Sequence, residues 1–171
     1  MPKYKRILVA TDFSGGVTEA LTHAAELGRE YEGSLVLLHV VDSRYYPSGF
    51  FPSYDFFQRI LTEFKAKAKA ELENLSRSPR FRGIKVETRL REGDPATQIV
   101  DAAREEKADL IVLGTHGQTA LEHLLIGSTA EKVLRTSPCP ILTVRSKIQP
   151  QPKAPGRRRG RRPNPRGLIT P

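Results

Sequence analysis

The chain has one cysteine, one methionine and no tryptophan among 171 residues. A single thiol, Cys139, forms no intrachain disulfide, and no Cys or His stands near it at metal spacing. It reads as a small residue near the core rather than a nucleophile. No run of about 18 apolar residues occurs, which excludes a membrane-spanning helix. The amino-terminal stretch MPKYKRILVATDFS has one short apolar run and no small-residue cleavage site after it. A secretory signal is therefore not expected, and the expected location is the cytoplasm. Two familiar phosphate motifs are also missing. No G-x-x-x-x-G-K-[ST] occurs, and no G-x-G-x-x-G follows the first apolar run. Nor does any His, Cys, Asp and Glu cluster have metal-ligand spacing.

Acidic residues are lacking in one place only. Residues 146–171 hold Lys147, Lys153, Arg157, Arg158, Arg159, Arg161, Arg162 and Arg166 and no acid. Removing those eight charges from the net +9 leaves +1 for residues 1–145. The basicity belongs to a tail. With six prolines, three glycines and no apolar period, the tail cannot offset its ordering entropy and is expected to be disordered. Such a tail either solubilises the protein or attracts nucleic acid non-specifically, with steep salt dependence. It has no aromatic residue to stack on bases. One domain is expected over 1–145, large enough to bury a core.

Within that domain, residues 5–10 and 34–42 (SLVLLHVVD) are short apolar runs that predict buried strands. Between them, Val17, Leu21, Ala24, Ala25 and Leu27 have helical spacing, with Ser14 or Asp12 available as cap and Gly33 just past the end. Residues 43–54 lack a period and read as a loop. A helix follows from Asp55, its expected cap, with Phe56, Ile60, Phe64, Ala68 and Leu72 on one stripe. IKVETRLRE alternates as an edge strand does. DPATQIVDAAREEKA opens with a cap and a proline at the first helical position. DLIVLG is a further buried strand, followed by a helix over about 128–136 and the strand CPILTVR. The order βαβαβαβαβ predicts an α/β doubly wound sandwich with a five-stranded parallel sheet. Ligands in such sheets bind beyond the carboxyl ends of the strands, where strand order reverses.

Directly after DLIVLG comes GTHGQTALEHLLIGST, residues 114–129, with the pattern G-x2-G-x9-G-[S/T]. Gly114 and Gly117 would let backbone amides approach a phosphate. Gly127-Ser128-Thr129 would open a helix whose free N–H groups and dipole favour an anion. The same glycines would serve equally well in a loop that merely turns the chain, and the pattern alone does not choose. The nine residues from Gln118 to Ile126 read as a flap joining two half-sites. His116 lies inside the glycine loop, either facing phosphate or facing solvent. His39 reads as a hydrogen-bonded residue in a buried strand, and His23 and His123 as surface residues.

ILVATDFSGGVTEALTHAAELG, LVLLHVVD, REGDPATQIVDAAREEKADLIVLGTHG and GSTAEKVLRTSPCPILTVR together resemble the universal stress protein family. The resemblance spans about residues 3–145 and extends to the branch that carries G-x2-G-x9-G-[S/T]. It implies a Rossmann-like fold of the adenine nucleotide alpha hydrolase type and ATP binding, with Mg²⁺ bridging the phosphates. It further implies that Gly114, Gly117, Gly127, Ser128 and Thr129 hold phosphate, that Asp12 contacts ribose, and that Ala10, Thr11, Val40 and Leu113 line the adenine. Many members have Pro where this chain has Ala10, which keeps a small apolar wall. The residue-level alternative for Asp12 is a helix N-cap. Homodimerisation through the last strand, around Ile141 and Val144, is implied as well, and an apolar sheet edge suits it. SGGVTE at 14–19 also resembles the Ser-Gly-Gly loop of PP-loop ATP pyrophosphatases, but Thr18 stands where that loop wants Asp. Hydrolysis needs a positioned water and stabilised charge on the transferred group. The phosphate loop has no Lys or Arg before Lys132, so binding with little turnover is expected.

Overall fold

The structure is a computed structural model, and it describes residues 4–45, 53–115 and 126–145. Five strands run parallel: β1 (Arg6–Ala10), β2 (Ser34–Val41), β3 (Val86–Glu92), β4 (Leu110–Gly114) and β5 (Ile141–Val144). Their order is β3-β2-β1-β4-β5. The chain thus winds outward in one direction from β1 to β3, then returns to pair β4 against the other side of β1. Among the described residues four α-helices cover the sheet: α1 (Thr18–Glu30), α2 (Tyr54–Ser76), α3 (Pro95–Glu105) and α4 (Ser128–Thr136). This is the doubly wound α/β sandwich that the element order predicts.

Strand side chains alternate between the two faces. Ile7, Val9, Leu35, Leu37, Leu110 and Val112 pack with α1 and the α2 residue Leu72. Leu8, Val36, Leu38, Ile111 and Leu113 pack with Ile99, Val100 and Ala103 of α3 and Ala130 and Val133 of α4. Both faces are covered, which is why the central strands are unbroken apolar runs. On β3 the face towards α3 carries Glu87, Arg89 and Arg91 instead; Arg89 pairs with Glu87 and with Glu106 just after α3, and Arg91 pairs with Glu105 at its end. That is the edge-strand alternation, with charge blunting the edge.

Three local expectations are corrected. A short 3-10 turn, Gly15–Val17, precedes α1, so neither Ser14 nor Asp12 caps the α-helix. The cap of α2 is Ser53, whose Oγ accepts from the Phe56 amide at 3.2 Å, and Asp55 sits in the first turn, where its charge suits the dipole. The stripe Phe56–Leu72 does not stay on one face. Each step of four residues turns about 400°, a drift of about 40°. Phe56 and Phe64 are consequently 45% and 44% exposed, while Leu61, Ala68 and Leu72 are buried. Asp94 does cap α3, accepting from the Thr97 amide at 3.0 Å, with Pro95 first in the helix.

Candidate functional site

β1 and β4 are neighbours whose outgoing connections depart to opposite faces of the sheet. A cleft of about 800 Å³ opens beyond their carboxyl ends. Its floor on the α3 side is apolar: Ala10, Val40, Leu113, Ile99 and Ala130. Its polar rim comes from Thr11, Asp12 and Thr115 and from Gly127, Ser128 and Thr129 at the start of α4.

The turn after β1 is tightly organised. The Thr11 amide donates to the Leu38 carbonyl at 2.9 Å, which extends the β1–β2 ladder by one bond. The Thr11 hydroxyl accepts from the Phe13 amide at 3.0 Å. Asp12 Oδ1 accepts from the Ser14 amide at 3.0 Å and from its hydroxyl at 2.6 Å. Asp12 therefore holds a short turn rather than a helix end, and its carboxylate still borders the cleft. Phe13 adopts a φ of 61°, a left-handed conformation that a bulky residue holds only under constraint. Its ring lies 4.3 Å from that of His39. His39 in turn donates from Nδ1 to the Thr11 carbonyl at 2.8 Å, since a carbonyl only accepts. This half-buried histidine is hydrogen-bonded, as its strand suggested, and it also lines the cleft.

The far wall is the start of α4. The Gly127 amide donates to the Thr115 carbonyl at 2.7 Å, and the Thr115 amide to the Val144 carbonyl at 3.0 Å. These bonds fasten the helix start to the end of β4. A Cβ on Gly127 would stand 3.2 Å from the Thr115 carbonyl oxygen, tighter than ordinary contact. Gly127 is the N-cap residue and offers no side chain to the first turn. The first intrahelical bond runs from the Glu131 amide to the Gly127 carbonyl. The amides of Ser128, Thr129 and Ala130 precede it, so the helix offers them no acceptor. They are the positive end of the α4 dipole, and their residues line the cleft.

Nine of the residues singled out from sequence are thus brought together: Ala10, Thr11, Asp12, Val40, Leu113, Gly114, Gly127, Ser128 and Thr129. His116, Gly117 and all of the flap except Ile126 lie outside the described residues. The structure adds Phe13, His39 and Arg44, and also Phe64, Lys67 and Glu71 on α2. Arg44 donates to Asp42 through Nε and Nη2, at 2.8 and 2.7 Å, and its Nη1 pairs with Asp94. The Arg44 hydrogen bond holds the Asp42 carboxyl below the usual range, and the Thr97 amide does the same for Asp94. Among the described residues no group of three His, Cys, Asp or Glu could hold a metal ion. No described helix is long and apolar enough to cross a membrane.

The universal stress protein family matches residues 3–145 of this sequence. The chain belongs to the universal stress protein family. It is 36% identical over 142 residues to universal stress protein MJ0531 of Methanocaldococcus jannaschii, spanning 83% of this chain and 82% of that one. Among solved structures, that of MJ0577 from the same organism superimposes with a TM-score of 0.77 at 33% identity, over 86% of this chain and 99% of the other. A more distant fold match, at 24% identity and a TM-score of 0.56, is the Archaeoglobus fulgidus universal stress protein in complex with dAMP, over 83% of this chain and 98% of that one.

Proposed function

We propose that this universal stress protein binds an adenine nucleotide, with ATP as its ligand, in the cleft between the turn after β1 and the start of α4. One observation carries the reading. The start of α4, whose first amides have no helical acceptor, and Asp12 line one cleft whose floor is apolar. The two walls suit the two ends of a nucleotide. A flat apolar base fits against Ala10, Val40 and Leu113, and a ribose hydroxyl can donate to Asp12. Phosphate takes the amides and hydroxyls of Ser128 and Thr129, with Gly127 leaving the approach open. The A. fulgidus complex shows that this fold accommodates an adenine nucleotide. Mg²⁺ would arrive on the phosphates, because Mg²⁺ is usually held by substrate oxygens and few protein carboxylates.

The nucleotide acts as a signal rather than a fuel in this reading. A ligand that binds one conformation better shifts the protein towards it and so changes partner affinity. In this reading the motif glycines serve binding, and little turnover is expected. Mass spectrometry of small molecules released from the purified protein tests the binding, and ATP or a close relative is expected at a substantial molar fraction. Absence of any nucleotide, together with no heat on adding ATP, would remove the reading. Steady-state ATP turnover of about 1 per second or more would instead make it an enzyme.

A second reading concerns β5, which is an outer strand of the sheet. We infer that two copies pair antiparallel along this edge, through backbone groups and Ile141. Val144 is 8% exposed and packs inward, so it supports the strand rather than the contact. Sedimentation showing only monomers at micromolar concentration would rule this out.

A further inference from the structure

Resting on the nucleotide reading above, we propose that Lys132, paired with Asp94 beside the cleft-lining residues Arg44 and Pro95, reads the number of phosphates on the ligand. Lys132 lies four residues after Ser128 on α4, so the two share a helix face. The turn separating them is about 5.4 Å long, and helical side chains lean towards the amino end. The Lys132 ammonium is therefore carried towards the uncapped amides, and it stands 3.9 Å from Asp94 Oδ1. Asp94 directly precedes Pro95 in the cleft wall.

Asp94 divides its two oxygens between two tasks. Oδ2 caps α3, accepting from the Thr97 amide and hydroxyl at 3.0 and 2.9 Å. Oδ1 faces two cations, Arg44 and Lys132. Of these, Arg44 is also held by both oxygens of Asp42. Lys132 is the looser partner, at the limit of ion-pair distance with its side chain 61% exposed. An α-phosphate on the Ser128 and Thr129 amides leaves any β- and γ-phosphates to run outward towards this rim. Their charge repels Asp94 and attracts the Lys132 ammonium, which exchanges one anionic partner for a stronger one. A monophosphate does not reach so far, and it leaves the Lys132–Asp94 pair unchanged.

The test is calorimetric titration of ATP and AMP into wild type, Lys132→Ala, Lys132→Arg and Asp94→Asn, with melting curves confirming that each variant folds. Lys132→Ala is expected to weaken ATP about tenfold, the scale of one lost charge-assisted bond at an exposed site, and to leave AMP within twofold. Lys132→Arg should restore most of the ATP affinity. Asp94→Asn keeps an oxygen to cap α3, and it should tighten ATP more than AMP. Equal losses for ATP and AMP in Lys132→Ala, or no loss for either, would overturn the assignment while leaving the nucleotide site intact. Failure of wild type to bind either nucleotide would instead remove the site itself, and the phosphate reader with it.

Discussion

The amino and carboxyl ends of the sheet are both rich in charge, yet they use it in opposite ways. At the amino end, Arg6 on β1 donates to both oxygens of Glu87 on β3, at 2.8 and 3.1 Å, and pairs with Glu106 after α3. Arg89 bridges the same two carboxylates from the other side. Asp109 accepts from the Lys5 amide at 2.9 Å and the Arg6 amide at 3.2 Å. Charge here is satisfied by partners on fixed elements. At the carboxyl end a cleft remains, and three residues whose amides have no helical acceptor line it. A cluster of charged side chains is therefore not by itself a site, and a place where polar groups converge on open space is a better sign of one.

Substitutions should separate the two ends cleanly. The largest effect on stability is expected from Arg6→Ala, which removes one of the two guanidiniums shared by Glu87 and Glu106 and leaves Arg89 alone to bridge these partly buried carboxylates. A loss of about 2 kcal/mol in urea unfolding is expected, below the range for a fully buried pair because the Arg6 side chain is 22% exposed. Nucleotide affinity should not change. Asp12→Ala should do the reverse, weakening nucleotide about tenfold by calorimetry while costing less than about 1 kcal/mol of stability. Equal stability losses for both variants would erase the contrast.

Acid sharpens the comparison further. Hydrogen bonds from Arg6, Lys85 and Arg89 hold the Glu87 carboxyl far below its ordinary value of 4.5. For Glu106, burial pushes upward but bonds from Arg6 and Arg89 win, and its value also falls. A carboxyl depressed in the folded state stabilises fully above its unfolded value, and that contribution fades as pH falls through and below it. The urea midpoint should accordingly drop between about pH 5 and pH 3, and this drop should be shallower in Arg6→Ala. An equally steep drop in the variant would detach the network from acid sensitivity.

Backbone strain gives the smallest contrast. Lys107, in the turn before β4 at the amino end, has a φ of 51°, and Phe13 at the carboxyl end has 61°. Lys107→Gly should raise stability by about 0.5 kcal/mol, because glycine enters that region freely. Phe13→Gly should not raise it, because the ring it removes packs on His39 and on the cluster around Val41 and Leu61. Thermal midpoints of the two variants moving in the same direction would mean that the Phe13 conformation serves no packing.

The sheet was readable because its strands are buried on both faces, so each appears as an unbroken apolar run such as ILVA or LIVLG. The α3 cap was readable because Asp94-Pro95 is chemically specific. The buried face of α2 is not legible from a linear period of four, because such a stripe winds around the helix. Around the cleft, motif residues were legible from Gly114 and from Gly127 to Thr129, which are close to the strand and helix ends that position them. Phe13, His39, Arg44 and Lys67 were not. His39 and Arg44 reach the cleft because β2 lies beside β1, Lys67 because α2 packs back on β2 and β3, and Phe13 through the left-handed turn after Asp12, and no local spacing records these. Asp12 had two readings from sequence, ribose contact or helix cap. The geometry shows a third arrangement, a carboxylate that fastens its own turn while bordering the cleft.

Under the proposed function the carboxyl end of the sheet binds nucleotide while the amino end only stabilises. Calorimetric titration of ATP into wild type, Gly127→Val and Glu106→Gln tests it directly. Gly127→Val places branched methyls where even a Cβ would stand 3.2 Å from the Thr115 carbonyl oxygen, and should weaken ATP at least a hundredfold. Glu106→Gln should bind as wild type does and melt earlier. Undiminished ATP binding by folded Gly127→Val, or loss of binding in folded Glu106→Gln, would contradict the account.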